Sequence, residues 1–300
     1  MHVFHMFSAL FLAAIWGFNF IFIQFALQDM SPLMLCALRF FFASVPALLF
    51  FRLPKTSIKL LVAYGLLIFA LQFLFLFLGI KAGVTPGLAG LLVQVQVFFS
   101  LFFASLILKE RILGWQIIGA LVAFSGVAVV FMHVGGEVSA LGLVLILCAS
   151  LSWGLGSLLI KKMGQVDPMG LVVWGSFIAF IPLCVLVLCM EGLDTFYELR
   201  HISSEGLISV LYIAYASTWV GYGLWNSLLG RYAISMLVPF TFLVPIFAII
   251  GSVLILHEPL YSWKILAGML VLSGLCINLF SSRLPTKLKL QDQVNPLEKP

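Results

Sequence analysis

The sequence predicts an all-α integral membrane protein of ten transmembrane helices, built as two inverted five-helix repeats. Three observations predict it: a composition that cannot cover a water-exposed surface, ten separate apolar runs of spanning length, and a set of polar and glycine positions that recur at one fixed offset.

Composition comes first. Of 300 residues, 63% are hydrophobic and only 9% charged, and the mean hydropathy is +1.20. Soluble domains carry about 25% charged residues, because polar side chains must face water. Lipid is therefore the solvent for most of the exterior. The net charge of +5 does not mark a nucleic-acid partner, because the basic residues are scattered between apolar runs and form no stripe for a phosphate backbone. The five cysteines lie inside apolar runs without metal-ligand spacing and read as small packing residues.

The runs come second. A span needs roughly 17–25 apolar residues, and cutting at polar or Pro/Gly punctuation gives 4–27, 32–51, 59–79, 85–107, 114–132, 139–160, 169–190, 206–228, 234–256 and 262–281. Unpaired backbone groups are prohibitive in hydrocarbon, and no barrel-type alternation is present, so every span is a helix. The first run has no basic residue before it and no small-residue cleavage site after it, which makes it a span and not a signal peptide. With the N-terminus inside, twelve Lys and Arg fall in cytoplasmic segments and three (Lys81, Arg200, Lys264) outside, while Arg39 lies within span two. That bias puts both termini in the cytoplasm.

The repeat comes third. Leu108-Lys109-Glu110 recurs as Leu256-His257-Glu258, Trp115 as Trp263, and Ser125-Gly126 as Ser273-Gly274, all 148 residues apart. Earlier, Trp16-Gly17 recurs as Trp153-Gly154 and Ser31-Pro32 as Asp167-Pro168. The division is 1–135 and 136–283, with a polar cytoplasmic tail over 284–300. Five spans per half is an odd number, so the second half enters the membrane upside down. Inverted repeats of this kind are a hallmark of carriers that expose a midplane site to either side in turn.

Polar side chains inside spans are costly in lipid and turn toward the bundle interior or a cavity. Helical spacing groups Trp16 with Asn19, Trp153 with Ser157, and Tyr222 with Trp225 and Asn226, and it adds Gln72 in span three. Gln94 and Gln96 in span four point to opposite sides of a regular helix, so only one faces the cavity unless the helix is unwound there. In the matching span nine, Pro239 and Pro245 flank Thr241 and are placed to kink the helix and free a carbonyl.

Amide donors among aromatic rings suit a small zwitterion. Asn19, Gln72, Gln94 and Asn226 are the candidates to orient substrate, and Trp16, Trp153, Tyr222 and Trp225 to shape and gate its cavity. The alternative is that each amide makes an interhelical hydrogen bond worth about 0.6 kcal/mol. Arg39 either anchors a substrate carboxylate or serves structure while snorkelling outward. The flanking position expected of helix two favours structure. Glu110 and Glu258, near helix ends, read as caps or loop anchors, with a gating ion pair as the sharper alternative. Trp115 and Trp263 read as interfacial anchors.

All eleven acidic residues and all five histidines fall outside the span centres. Proton-coupled carriers usually hold an ionisable relay in the membrane, so a facilitative or weakly coupled carrier is expected. Neither the metal or nucleophile cluster of an enzyme nor a P-loop is present, and no cofactor is expected.

Ala14-Ile15-Trp16-Gly17-Phe18-Asn19, Leu38-Arg39-Phe40, Leu108-Lys109-Glu110-Arg111, Trp153-Gly154 and His257-Glu258-Pro259 together resemble the EamA family of the drug/metabolite transporter superfamily, from about residue 7 to 282. Ser31-Pro32-Leu33-Met34-Leu35, Gln94-Val95-Gln96, Val220-Gly221-Tyr222-Gly223 and Leu229-Gly230-Arg231-Tyr232 are most similar to its exporters of the cysteine and O-acetylserine class. The resemblance implies export of small amino-acid-like metabolites across a bacterial inner membrane. It also implies a cavity lined by helices one, three and four and by six, eight and nine, with five and ten peripheral. Hydrophobic drugs or lipid-like metabolites are the alternative cargo.

Overall fold

A computed structural model describes residues 2–232 and 234–281. The tail over 284–300, with its basic residues, lies outside them, as does Arg283. Eight helices are long and apolar enough to cross a membrane: α1 (Val3–Asp29), α3 (Ile58–Lys81), α4 (Pro86–Leu108), α5 (Gly114–Phe131), α6 (Ala140–Met163), α7 (Pro168–Met190), α8 (Ser204–Leu229) and α10 (Ser262–Ser281). Two shorter apolar helices lie beside them: α2 (Pro32–Ser44) and α9, which runs as Ile234–Thr241 and Leu243–Ile255. No strand occurs among the described residues.

Capping residues place the helix starts. Ser31 accepts from Met34 N–H ahead of Pro32, and Asp167 accepts from Met169 and Gly170 N–H ahead of Pro168. Both pair an N-cap oxygen with a proline whose missing N–H is no loss at the first helical position. The span expected over 32–51 is a correction: α2 ends at Ser44, and hydrogen-bonded turns carry the chain to Phe51. Pro46 explains it, since it has no N–H to donate to the Phe42 carbonyl four residues earlier.

The packing exchanges the two halves. α1 packs on α8 and α9, while α6 packs on α3 and α4; α2 pairs with α7, and α5 with α10. Gly17 of α1 sits so close to α9 that a Cβ would strike Phe247 and Val244, and a Cβ on Gly154 of α6 would lie 2.6 Å from Phe99 of α4. Phe99 and Phe247 are themselves 148 residues apart. Gly126 abuts Ala267, and Gly274 abuts Gly119, so the Ser-Gly pairs do make close helix packing. α5 and α10 are the least buried of the eight long helices.

Departures from regular helix recur too. α3 widens into a π-helix over Gly65–Leu71, and α8 does so over Tyr212–Val220. α4 tightens into a 3₁₀ turn at Val93–Val95, and α9 breaks at Phe242. Lys109 and His257 both take left-handed backbone, with φ of 57° and 54°. Glu110 N–H then returns to the Ala104 carbonyl at 3.3 Å, and Glu258 N–H to the Ser252 carbonyl at 3.1 Å. Each pair is offset by about the 148 residues that separate the sequence motifs.

Candidate functional site

The aromatic group forms where α1 meets α8. The Trp16 ring lies 5.7 Å from Tyr222 and 5.9 Å from Trp225. Tyr222 continues at 6.4 Å to Phe69 of α3, which touches Tyr64 at 5.4 Å. Gly221 makes the close approach possible, since a Cβ there would lie 2.5 Å from Trp16 Nε1.

The π segments supply backbone as well as side chains. A π turn changes the i→i−4 ladder and is common at functional sites. Trp16 Nε1 donates to the Ser217 carbonyl within the α8 segment at 3.0 Å. Ser152 of α6 donates to the Leu67 carbonyl within the α3 segment at 2.8 Å. Each π segment is thus bonded by a side chain from the first helix of the opposite half.

Around this centre sit buried amides with unused atoms. Asn19 and Gln72 are buried, and Oδ1 of Asn19, Oε1 of Gln72 and Nδ2 of Asn226 have no hydrogen-bond partner. Buried polar groups are nearly always paired. These three atoms lie on α1, α3 and α8, the helices that carry the aromatic group.

Gln94 is different. Pro245 has no N–H to offer the Thr241 carbonyl one turn earlier, and Gln94 Nε2 donates to that carbonyl at 3.4 Å. Gln94 is buried and Gln96 is partly exposed, with Oε1 of Gln96 unpartnered. Pro245 is buried and Pro239 exposed. Ser157 turns to Ser100 of α4 at 3.1 Å, and Trp153 packs against the main core. The space beside Trp16 and Trp225 is a slot of about 10 Å³, lined by Ala9, Leu12, Leu228 and Phe240 among others. That is room for about one water.

Arg39 is 1% exposed. Its guanidinium lies 3.7 Å over the Phe73 ring, and Nη2 reaches Thr218 Oγ1 at 3.4 Å. Phe73 and Thr218 are partners that span-by-span reading does not reveal, since they face Arg39 from other helices. Snorkelling is corrected: the charge is enclosed, because α2 is wedged between α7 and the π segment of α8.

The two glutamates part company. Glu110 pairs with Lys161 at 2.9 Å, and both side chains are about half exposed. Glu258 pairs with Lys264 at 2.8 Å, and both are under a tenth exposed. Glu258 also accepts from Thr85 and Ser252 hydroxyls and, at 3.4 Å, from Gly87 N–H in the first turn of α4. Burial pushes its carboxyl upward, but bonds from Lys264, Ser252 and Thr85 outweigh that and hold it below the ordinary value of 4.5. Lys264, read from sequence as an outer-surface charge, is a buried partner. Trp115 is exposed, as an interfacial anchor should be, whereas Trp263 stacks on His133 at 4.3 Å and donates to Glu137.

The EamA-like transporter family matches twice, over residues 3–132 and 140–280. The chain belongs to the EamA-like transporter family. This multi-pass membrane protein is thus a transporter and not an enzyme. It is 38% identical over 282 residues to an Escherichia coli K12 protein named "Probable amino-acid metabolite efflux pump", covering 92% of this chain and 94% of that one. A Salmonella typhimurium protein of the same name is 37% identical, covering 92% and 95%. The E. coli "Uncharacterized inner membrane transporter YedA" is 24% identical, covering 94% and 93%. One solved crystal structure, 16% identical, shares the fold with a TM-score of 0.65 over 93% of this chain and 99% of its own.

Proposed function

We propose that this EamA transporter exports small amino-acid-like metabolites, of the cysteine and O-acetylserine class, from the cytoplasm by alternating access. The observation that carries the reading is the set of unpartnered buried amide atoms on Asn19, Gln72 and Asn226 beside the Trp16, Tyr222 and Trp225 rings. Uncharged donors and acceptors among aromatic faces suit a zwitterion. The names of the E. coli and Salmonella relatives point the same way. Trp153, Ser157 and Gln94 complete the proposed lining from α6 and α4.

The architecture in this reading is ten spans in two inverted halves, 1–135 and 136–283, with both termini and the 284–300 tail cytoplasmic. Support comes from the recurrence of π segments, helix breaks and left-handed residues at about one offset, and from the exchanged packing of α1 and α6. The setting is the bacterial inner membrane, in line with the name of the YedA relative. A slot for about one water holds no amino acid, so substrate entry requires the halves to move. With every acidic residue outside the span centres, the substrate gradient drives export, and coupling to protons is weak or absent.

The test is efflux of labelled cysteine, O-acetylserine and a panel of amino acids from proteoliposomes, with and without a pH gradient. Saturable efflux insensitive to the pH gradient supports the reading. Strict dependence on a proton gradient, abolished by neutralising one carboxylate, overturns the coupling mode. A second reading, export of hydrophobic drugs or lipid-like metabolites, is favoured by the apolar lining of the Trp16 slot. It takes over if no amino acid moves.

A further inference from the structure

We propose that Arg39 is the anchor for the carboxylate of the transported amino acid, an inference that rests on the amino-acid reading above. A buried guanidinium is tolerated when its charge and its donors are paired. Here Nε and Nη1 have no partner, and Nη2 has one long contact to Thr218. Each in-plane edge of the guanidinium therefore keeps an unused donor. Neither ion pair among the described residues includes Arg39. Phe73 stabilises the cation from its face, at 3.7 Å, and that contact leaves the edges free. Carboxylates bind such edges in plane.

The unused polar atoms are of the two kinds a zwitterion needs. Arg39 also lies 5.5 Å over the Phe40 ring, and Phe40 meets Phe69, the ring neighbour of Tyr222, at 5.6 Å, so a chain of rings joins the cation to the aromatic centre. The unused atom of Asn226, one turn beyond Tyr222, is a further donor. Those of Gln72, adjacent to Phe73, and Asn19, one turn beyond Trp16, are acceptors. Donors and a fixed positive charge match the carboxylate, and acceptors match the ammonium. Among the residues of this centre, Arg39 is the one with a charge to offer, so it sets the requirement for an acid group.

The test compares labelled cysteine with labelled cysteinamide, which keeps the ammonium and loses the carboxylate, in proteoliposomes corrected for protein-free leakage. Wild-type protein should export cysteine with kcat/KM about 10- to 100-fold above cysteinamide, the loss expected for hydrogen bonds to a charged group. R39Q should bring cysteine down to the cysteinamide level without a matching loss for cysteinamide, while R39K should fall between. Equal handling of the two probes by the wild type overturns the proposal without any variant, even if R39Q does not fold. A proportional loss of both probes in folded R39Q overturns it as well, since that is what a structural role would give. If wild-type protein moves no amino acid, the function reading falls and takes this assignment with it, and that outcome is visible before any variant is made.

Discussion

Lys264 Nζ lies 2.8 Å from Glu258 Oε1, and the same carboxylate reaches across to the first turn of α4 through Thr85 and Gly87. One buried ion pair thus ties α10 to the other half of the chain. Removing one partner of such a pair leaves an uncompensated charge, at about 3–5 kcal/mol. E258Q and K264M should each lower stability by that order in thermal unfolding of detergent-solubilised protein. The double variant should cost clearly less than their sum.

The same carboxylate gives an acid dependence. Its folded pKa is held below the ordinary value of 4.5, so its contribution is complete above 4.5 and is lost as pH falls through the folded value. Wild-type protein should lose stability on acidification below about pH 4.5, and E258Q should lack that part of the loss. Parallel pH profiles for the two would contradict the assignment.

Two glycines, two residues apart, should behave in opposite ways. A Cβ at Gly221 meets Trp16 Nε1 at 2.5 Å, while one at Gly223 meets nothing within 4 Å. Gly221→Ala should cost about 1–3 kcal/mol by overpacking and impair efflux by displacing Trp16. Gly223→Ala should leave both properties unchanged.

If Asn19 and Gln72 serve substrate, then N19L and Q72L should abolish efflux without loss of stability. Removing an unpartnered buried polar group relieves a penalty of about 1–3 kcal/mol, so their unfolding temperatures should hold or rise. Destabilised variants would instead make these amides part of the helix packing.

Ser152→Ala should cost about 1–3 kcal/mol, because the Leu67 carbonyl it serves sits in a π turn and is part-buried. Ser125→Ala, whose hydroxyl bonds an exposed carbonyl in its own helix, should be near neutral in the same unfolding assay.

Much of this was legible in the sequence because lipid is an unforgiving solvent. Eight of the expected spans coincide with helices long and apolar enough to cross a membrane, and the Thr241 carbonyl freed by Pro245 follows from proline chemistry alone. The 3₁₀ turn at Val93–Val95 and the two π segments carry no residue signature of their own. They arise from packing between helices far apart in sequence, as do the Phe73 and Thr218 contacts of Arg39. The end of α2 was hidden for another reason: Leu49 and Phe50 are apolar, and hydropathy counts them whether or not the backbone is helical. Lys264 misleads because its charge is read one residue at a time, while its burial depends on a loop that folds Glu258 back over it.

The unequal settings of Glu110 and Glu258 give the two ends of the bundle different sensitivities to the medium. Mobile ions screen exposed charges beyond about 8 Å at physiological ionic strength and barely reach enclosed ones. Salt therefore loosens the Glu110–Lys161 clasp, with both side chains about half exposed, and leaves the Glu258–Lys264 clasp untouched. Two halves that repeat each other's backbone so closely are held at one end by a bond the surrounding solution can weaken, and at the other by a bond it cannot reach.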